Sequence, residues 1–402
     1  MRILYLDSGL RGDVGHHANY CRYIVGELRA RGIETALFAY RGLEPSLQFE
    51  LGAVPHFRVY TYVESDGDPI CGWLSGFDSS TRATVEDLAA LPAVERADLV
   101  LAISTQPAQM SALAEWQRAM PPERRPVVAV EAFQSGLQMR RTDQGMSAVA
   151  PDPRVRPQAT LFRFVAKRLP PASEGRFHVV TFEPFSSELF AMLLERPVRT
   201  LPLPYRAVAP LRSRAGAAPP TVAILGHQKR LKGYDRLPEI LEALLRLPDK
   251  FRLLIQLVDP RGPPELQQAV RATAKASDRV ILEESPAGRT EWPRLLERSD
   301  LVLCPHRPEF YTSFSAVSAE AIANGIPQVV PAGTPMERLL RESGGGGVSF
   351  ERFEPAAIAE ATGRALRDFD RLADLAHAGA QRWPERQGPA RLVDALLALI
   401  AA

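Results

Sequence analysis

Short apolar runs alternate with amphipathic stretches along nearly the whole chain, and a parallel sheet covered by crossover helices is the fold that this alternation describes. Runs at 2–6, 35–39, 98–103 and 127–130 read as strands, with a helix over 18–31 closed by Gly32. A strand at 177–181, a helix at 186–194 and a strand at 198–202 follow. Residues 206–220 then lose all periodicity and are rich in Ala, Pro and Arg, as a linker between domains would be. The pattern restarts with a strand at 222–225, a glycine turn, a helix at 237–247 and a strand at 252–258. Strands at 279–282, 301–303 and 328–330 come next, interleaved with helices at 292–297 and 316–324. The apolar stretch 386–402 forms a helix that must pack on something. The fold class expected is therefore α/β, with one Rossmann-like domain over 1–205, a linker over 206–220, a second such domain over 221–385 and a closing helix. A length of 402 residues agrees, because it exceeds what one hydrophobic core usually organises.

Composition removes several classes of function. Hydrophobic residues at 46 % with 24 % charged describe a globular chain, not a disordered one. A formal charge of +2 is too small for a nucleic-acid partner, which requires a concentrated basic field. Cys21, Cys71 and Cys304 are widely spaced and odd in number, so they read as reduced thiols in a cytoplasmic protein. The apolar start is too short for a signal peptide, and no run approaches a membrane span.

Open α/β sheets bind ligands beyond the carboxyl ends of their strands, so the informative motifs are those that directly follow strands. Gly226-His-Gln-Lys-Arg-Leu-Lys232-Gly233 is one of them. A glycine turn with clustered cations suits a diphosphate, each charge-assisted hydrogen bond contributing about 1.5–3 kcal/mol; a solvated basic turn is the plain alternative. The other is the stretch from Tyr311 to Pro327, in which Ser313 or Ser315 can cap a helix that ends at Gly325. Glu320 stands inside that otherwise small and apolar helix. It is either an exposed carboxylate or a partner for a ribose diol.

Together these motifs resemble the C-terminal domain of retaining GT-B glycosyltransferases of the family 4 type. The resemblance covers most of the chain. Gly15-His-His-Ala-Asn-Tyr is similar to that family's glycine loop and first helix, and the stretches beginning at Val179 and Leu201 also fit. It implies two Rossmann-like domains facing each other, the first on the acceptor side, and the closing helix crossing back to the first. It also implies transfer from a nucleoside diphosphate sugar to a hydroxyl of a glycan, a lipid-linked or a protein acceptor, with no cofactor and no metal. Lys232 would bind the donor diphosphate, Glu320 the ribose, and Ser313, Phe314 and Ser315 would approach the phosphates or sugar. Gly15, Gly226, His227, Arg230 and Glu284 complete the expected donor site. Two positions depart from the family: His227 replaces an arginine, which Arg230 or Lys229 could supply, and Thr312 replaces a glutamate that contacts the sugar. Glu309 could take over from Thr312 only through a rearranged loop.

No covalent nucleophile is evident, so retention rests on the resemblance. An inverting reaction would need a base from Asp13, His16, His17 or Glu131, and the catalytic candidates are His16, Glu131 and Thr312. Asp66-Gly67-Asp68 has the form of a metal-binding carboxylate pair, but its surroundings favour a solvent turn. Residues 151–180 carry six cations against two acids. The part from 154 to 176 could lie on the inner face of a membrane or pack on its own domain. Two alternatives accompany transfer: a nucleotide-sugar epimerase of the same fold, and a catalytically silent nucleotide-sugar-binding protein.

Overall fold

The computed structural model describes residues 1–13, 15–62, 72–92, 96–142, 145–149, 157–209, 219–258, 264–285, 287–310 and 313–401. Two compact units emerge. The first comprises Met1–Gln138, Ala148–Pro204 and Gln387–Ala402, and the second Met139–Ser147 and Tyr205–Arg386.

The first unit is built on strands β1 (Arg2–Asp7), β2 (Glu34–Tyr40), β3 (Ala53–Phe57), β4 (Leu99–Thr105) and β5 (Val127–Ala132). Strands β8 (Phe177–Thr181) and β9 (Arg199–Thr200) complete it; between β5 and β8 the chain forms a small hairpin of β6 (Gln138–Thr142) and β7 (Gly145–Val149), most of which is counted with the second unit. The main sheet is ordered β3-β2-β1-β4-β5-β8-β9, with parallel pairing throughout. Helices cover both faces, which is why β4 and β5 are buried at every position and read as continuous apolar runs instead of alternating ones. Leu4, Val100 and Val128 of the sheet pack with Phe162 and Phe190 of the covering helices.

Helix His16–Ala30 follows β1 and buries His17, Tyr20, Cys21, Ile24 and Leu28, a spacing that keeps one face inward. Helix Pro389–Ala401 belongs to the same unit. Its apolar residues Leu392, Val393, Leu396 and Leu399 are buried, and Arg31 holds it through Ala390 O at 2.9 Å and Asp394 Oδ1 at 2.6 Å. The chain enters it beside Leu203, whose N–H donates to Gln387 Oε1 and whose carbonyl accepts from Gly388 N.

The second unit contains β10 (Thr221–Ile224), β11 (Arg252–Gln256), β12 (Val280–Glu283), β13 (Leu301–Leu303), β14 (Gln328–Pro331) and β15 (Gly347–Phe350). They form one parallel sheet ordered β12-β11-β10-β13-β14-β15, over a core that includes Ile224, Leu241, Ile255, Val329 and Phe350. In both units the first strand lies beside the fourth, so crossovers leave it in opposite directions. A crevice opens at that switch point, between β1 and β4 in one unit and between β10 and β13 in the other.

Several local expectations change. Within 198–202 only Arg199–Thr200 pairs, against β8. Strand β15, which starts at the last glycine of the run 344–347, is an addition to the expected strands. Lys232 does not lead straight into a helix: it closes a 3-10 turn, Arg230–Lys232, and a second one, Tyr234–Arg236, precedes helix Leu237–Leu245. The start of the expected linker is anchored, because Asn324 Oδ1 accepts from Val208 N and Ala209 N at 2.9 and 2.8 Å. Cys21 and Cys304 are free and buried, while Cys71 and the pair Asp66 and Asp68 lie outside the described residues. No helix among the described residues is long and apolar enough to cross a membrane. Of the basic stretch, Arg154 and Arg156 are outside the described residues; in helix Gln158–Ala166, Phe164 is exposed, with the Arg168 guanidinium 4.2 Å above its ring.

Candidate active site

At the switch point of the first unit, β1 ends in a fully buried Asp7. Its Oδ1 accepts from Gly9 N at 2.9 Å and from His17 Nδ1 at 2.8 Å. A carboxylate only accepts, so His17 carries its proton on Nδ1 and its Nε2 accepts from the Tyr62 hydroxyl at 2.9 Å. The Tyr62 oxygen also lies 3.2 Å from His16 Nε2, which in turn sits 3.3 Å from Ser104 Oγ. Ser104 ends β4 in the left-handed region, at φ 52°, and donates its N–H to Glu131 Oε2 at 2.7 Å. The sheet itself sets this chain of contacts, since β1, β4 and β5 are adjacent and each delivers a polar residue at its carboxyl end.

Burial raises Glu131 to about 8, with Asp7 adding to the effect and the Ser104 hydrogen bond opposing it. Near neutral pH Glu131 therefore carries its proton for much of the time. Asp13 is engaged by Arg22. Among the base candidates, His16 is half-buried beside Tyr62 and Ser104, and Gly15, with φ 95°, admits the chain to its helix. Burial pushes the Cys21 thiol well above its ordinary range, which leaves it inert.

In the second unit the loop after β10 folds over the loop after β13. Gly226 has φ 98°, and a Cβ there would fall 2.9 Å from Lys232 Nζ and 3.3 Å from Val317 Cγ2. The glycine therefore brings the Lys232 ammonium and the serine-capped helix to one place. Gly233, at φ 76°, lies so close to the next loop that a Cβ would meet Pro305 O at 1.9 Å. The Gly226 amide is not offered outward, as it donates to Gln256 Oε1 at 2.7 Å, while the Gly226 carbonyl accepts from Gln228 Nε2. Gln228 also bonds Gln256 O and Val258 N, so two glutamines pin the loop to the end of β11.

Lys232 is the cation that this packing isolates. Burial first, and the charge of Lys229 second, lower its ammonium to about 8, and no carboxylate lies within ion-pairing distance of it among the described residues. Its neighbours offer no compensation. Burial lifts the Cys304 thiol to about 12 and keeps the buried His306 neutral, its pKa well below the usual imidazole range.

Other expected donor residues divide. Ser315 is the cap of helix Ala316–Ala323, its Oγ accepting from Ser318 N at 3.5 Å, and Ser313 precedes it in the same loop. Phe314 stands edge-on to Tyr205. Glu320 is 2 % exposed, which removes the reading as a surface carboxylate. His227 is half-buried behind Gly226, whereas Arg230 projects outward, 3.8 Å from Asp235. Glu284, beyond β12 at the sheet edge, pairs with Arg271 and is not gathered with Lys232. Glu309 pairs with Arg307, and Thr312 is outside the described residues. Asp7, Tyr62, Ser104, Gln228 and Gln256 are absent from the expected site. The available signal for three of them was a polar residue closing an apolar strand.

Residues 184–398 match the family described as "Family 4 Glycosyltransferase in conflict systems". No curated protein sequence matches the chain. Among solved structures, sucrose-phosphate synthase from Thermosynechococcus elongatus superposes with a TM-score of 0.68 at 15 % identity, over 100 % of this chain and 98 % of that one. Anabaena HepE in complex with UDP and glucose gives 0.64 at 15 % identity, over 100 % and 99 %. A UDP-N-acetylglucosamine 2-epimerase assignment from Listeria monocytogenes gives 0.57 at 12 %, over 99 % and 95 %. At such identities these likenesses establish the shared GT-B fold.

Proposed function

The chain belongs to the family 4 glycosyltransferases of conflict systems, and from that premise we propose that it draws its sugar from a nucleoside diphosphate sugar, whose diphosphate is neutralised by Lys232. The observation that carries this is the ammonium of the half-buried Lys232, packed beside Gly226 with its pKa lowered to about 8. An anion placed there would restore the charged form, and the interaction would strengthen as negative charge grows on the departing diphosphate. Val317 brings the amides that open helix Ala316–Ala323 to the same spot, and such a terminus favours anions. Glu320 has the chemistry to accept hydrogen bonds from a ribose diol. HepE has been crystallised with UDP-glucose, a donor of this class.

The acceptor is a hydroxyl met by the first unit, where His16 and its partners lie. Retention and independence from metal follow from the family resemblance, and Lys232 is the charge that would serve in a metal's place. If the reaction inverts instead, His16 is the base, because Glu131 carries its proton for much of the time near neutral pH. Release of nucleoside diphosphate from a panel of nucleotide sugars, with and without acceptors, tests the reading. Turnover of a donor that needs an acceptor supports transfer, and acceptor-free conversion of the sugar supports the epimerase. Absence of binding, with Lys232→Ala indistinguishable from the parent, sinks it.

A further inference from the structure

The first unit contains a cavity of about 450 Å³ that shares only Tyr62 with the histidine cluster. That volume lies within the rough 300–1,000 Å³ range of small-molecule sites. Tyr62, Trp73 and Phe77 supply its aromatic surface, and Gln106, Gln109, Gln134 and Gln158 its amides; among the described residues none that lines it carries a charge. Trp73 and Phe77 are four apart on helix Gly72–Ala89 and so share a face. Gln106 precedes helix Pro107–Ala119 directly after β4, Gln134 follows β5 at φ 56°, and Gln158 opens helix Gln158–Ala166. The amides thus come from three separate chain segments.

Two wall atoms are unmet. Trp73 Nε1, a donor, and Gln158 Oε1, an acceptor, are buried with no hydrogen-bond partner among the described residues. An unmet buried polar atom costs about 1–3 kcal/mol, a cost that a ligand supplying both a donor and an acceptor would relieve. The geometry points to an uncharged saccharide as the occupant, and hence as the class of acceptor. This rests on the transferase reading above. A sugar hydroxyl donates and accepts at one atom, which suits carboxamides, and the C–H faces of a sugar ring suit aromatic side chains. A phosphate or carboxylate would meet no cation among the described residues of the wall and would lose its hydration uncompensated there. Tyr62 connects the cavity to the reaction chemistry, since its hydroxyl also touches His16 and His17. Of the stretch 154–176 it is Pro157, Gln158 and Leu161, and none of the cations described there, that line the cavity.

The test uses the full chain without donor. Methyl glucoside, maltose and cellobiose are titrated by saturation-transfer NMR, with glucose 6-phosphate, glucuronate and uridine as competitors. Binding of a neutral saccharide that weakens about tenfold in Trp73→Ala and in Gln158→Leu supports the assignment, with Trp73→Phe and an unchanged melting temperature separating lost contact from lost fold. Failure of every neutral sugar to bind overturns it, as does stronger competition by glucose 6-phosphate, glucuronate or uridine. UDP binding is measured in parallel. If UDP binds through Lys232 while saccharides do not, the acceptor assignment alone fails. If saccharides bind while UDP does not, the cavity assignment stands and the donor reading fails.

Discussion

The two units repeat one strand order and place a glycine of nearly equal φ, 95° at Gly15 and 98° at Gly226, in the loop after the first strand. They then treat polar groups oppositely. In the first unit each polar side chain at the switch point meets another: Asp7 with His17, His17 with Tyr62, Tyr62 with His16, His16 with Ser104, and Ser104 with Glu131. In the second, a lysine is packed against glycine with its positive charge destabilised by burial. A completed network is organised before any ligand arrives and suits the placement of a hydroxyl or a proton. An uncompensated charge stores a demand for an anion.

The largest expected effect comes from removing that charge. Lys232→Ala should weaken nucleoside diphosphate binding by about ten- to a hundredfold, equivalent to about 1.5–3 kcal/mol, without lowering the melting temperature; isothermal titration checks the first half and a thermal melt the second. Lys232 also sets a pH limit. Its ammonium is present below about 8 and lost above it, so diphosphate affinity should hold steady up to that pH and decline beyond. A flat profile from pH 7 to 10 would separate Lys232 from the anion.

Gly226→Ala should follow in size. The new methyl would strain a left-handed backbone by about 1–2 kcal/mol and crowd the ammonium at the same time. Its mark would be a loss of both stability and diphosphate affinity, measured by melting and titration. In the first unit the losses should be smaller and of another kind. Tyr62→Phe removes the hydroxyl between His16 and His17 and should lower kcat a few-fold, corresponding to roughly 0.5–1.5 kcal/mol, with diphosphate affinity untouched. Equal loss of both quantities would dissolve the contrast between the units.

Glu131→Gln should have the most specific sign. The carboxyl is raised in the fold from 4.5 to about 8, so the native state binds more protons than the unfolded chain across that window. Stability from this group is therefore present at low pH and lost as pH rises from about 4.5 to about 8. The glutamine keeps an acceptor for Ser104 N and removes the slope. Its melting temperature should match the parent near pH 4.5 and exceed it near pH 8.

The sequence made the repeated architecture legible because buried parallel strands are apolar at every position and their helices are not. It also marked Gly226, Lys232, Ser315 and Glu320, whose meaning is local to a turn or a helix start. It could not mark Tyr62, which reaches His17 across 45 positions, or Gln256, which reaches Gly226 across 30. Such pairings are set by which strands become neighbours, and nothing in the spacing of the residues encodes that order. Glu284 illustrates the reverse error. It follows a strand, but that strand is the outermost of its sheet, so the position carries the residue to Arg271 and away from the switch point.

The helix Pro389–Ala401 gives the molecule an order of events during synthesis. Arg31 and Asp394 meet across 363 positions, a stretch that a ribosome adding about 5–20 residues per second takes tens of seconds to produce. Throughout that time the surface that this helix covers has no native occupant, although every other part of the first unit has already been translated. The unit that is born first is thus completed last, after the second unit has been translated, and a nascent chain stalled before Gln387 would present an unfinished core to chaperones and proteases.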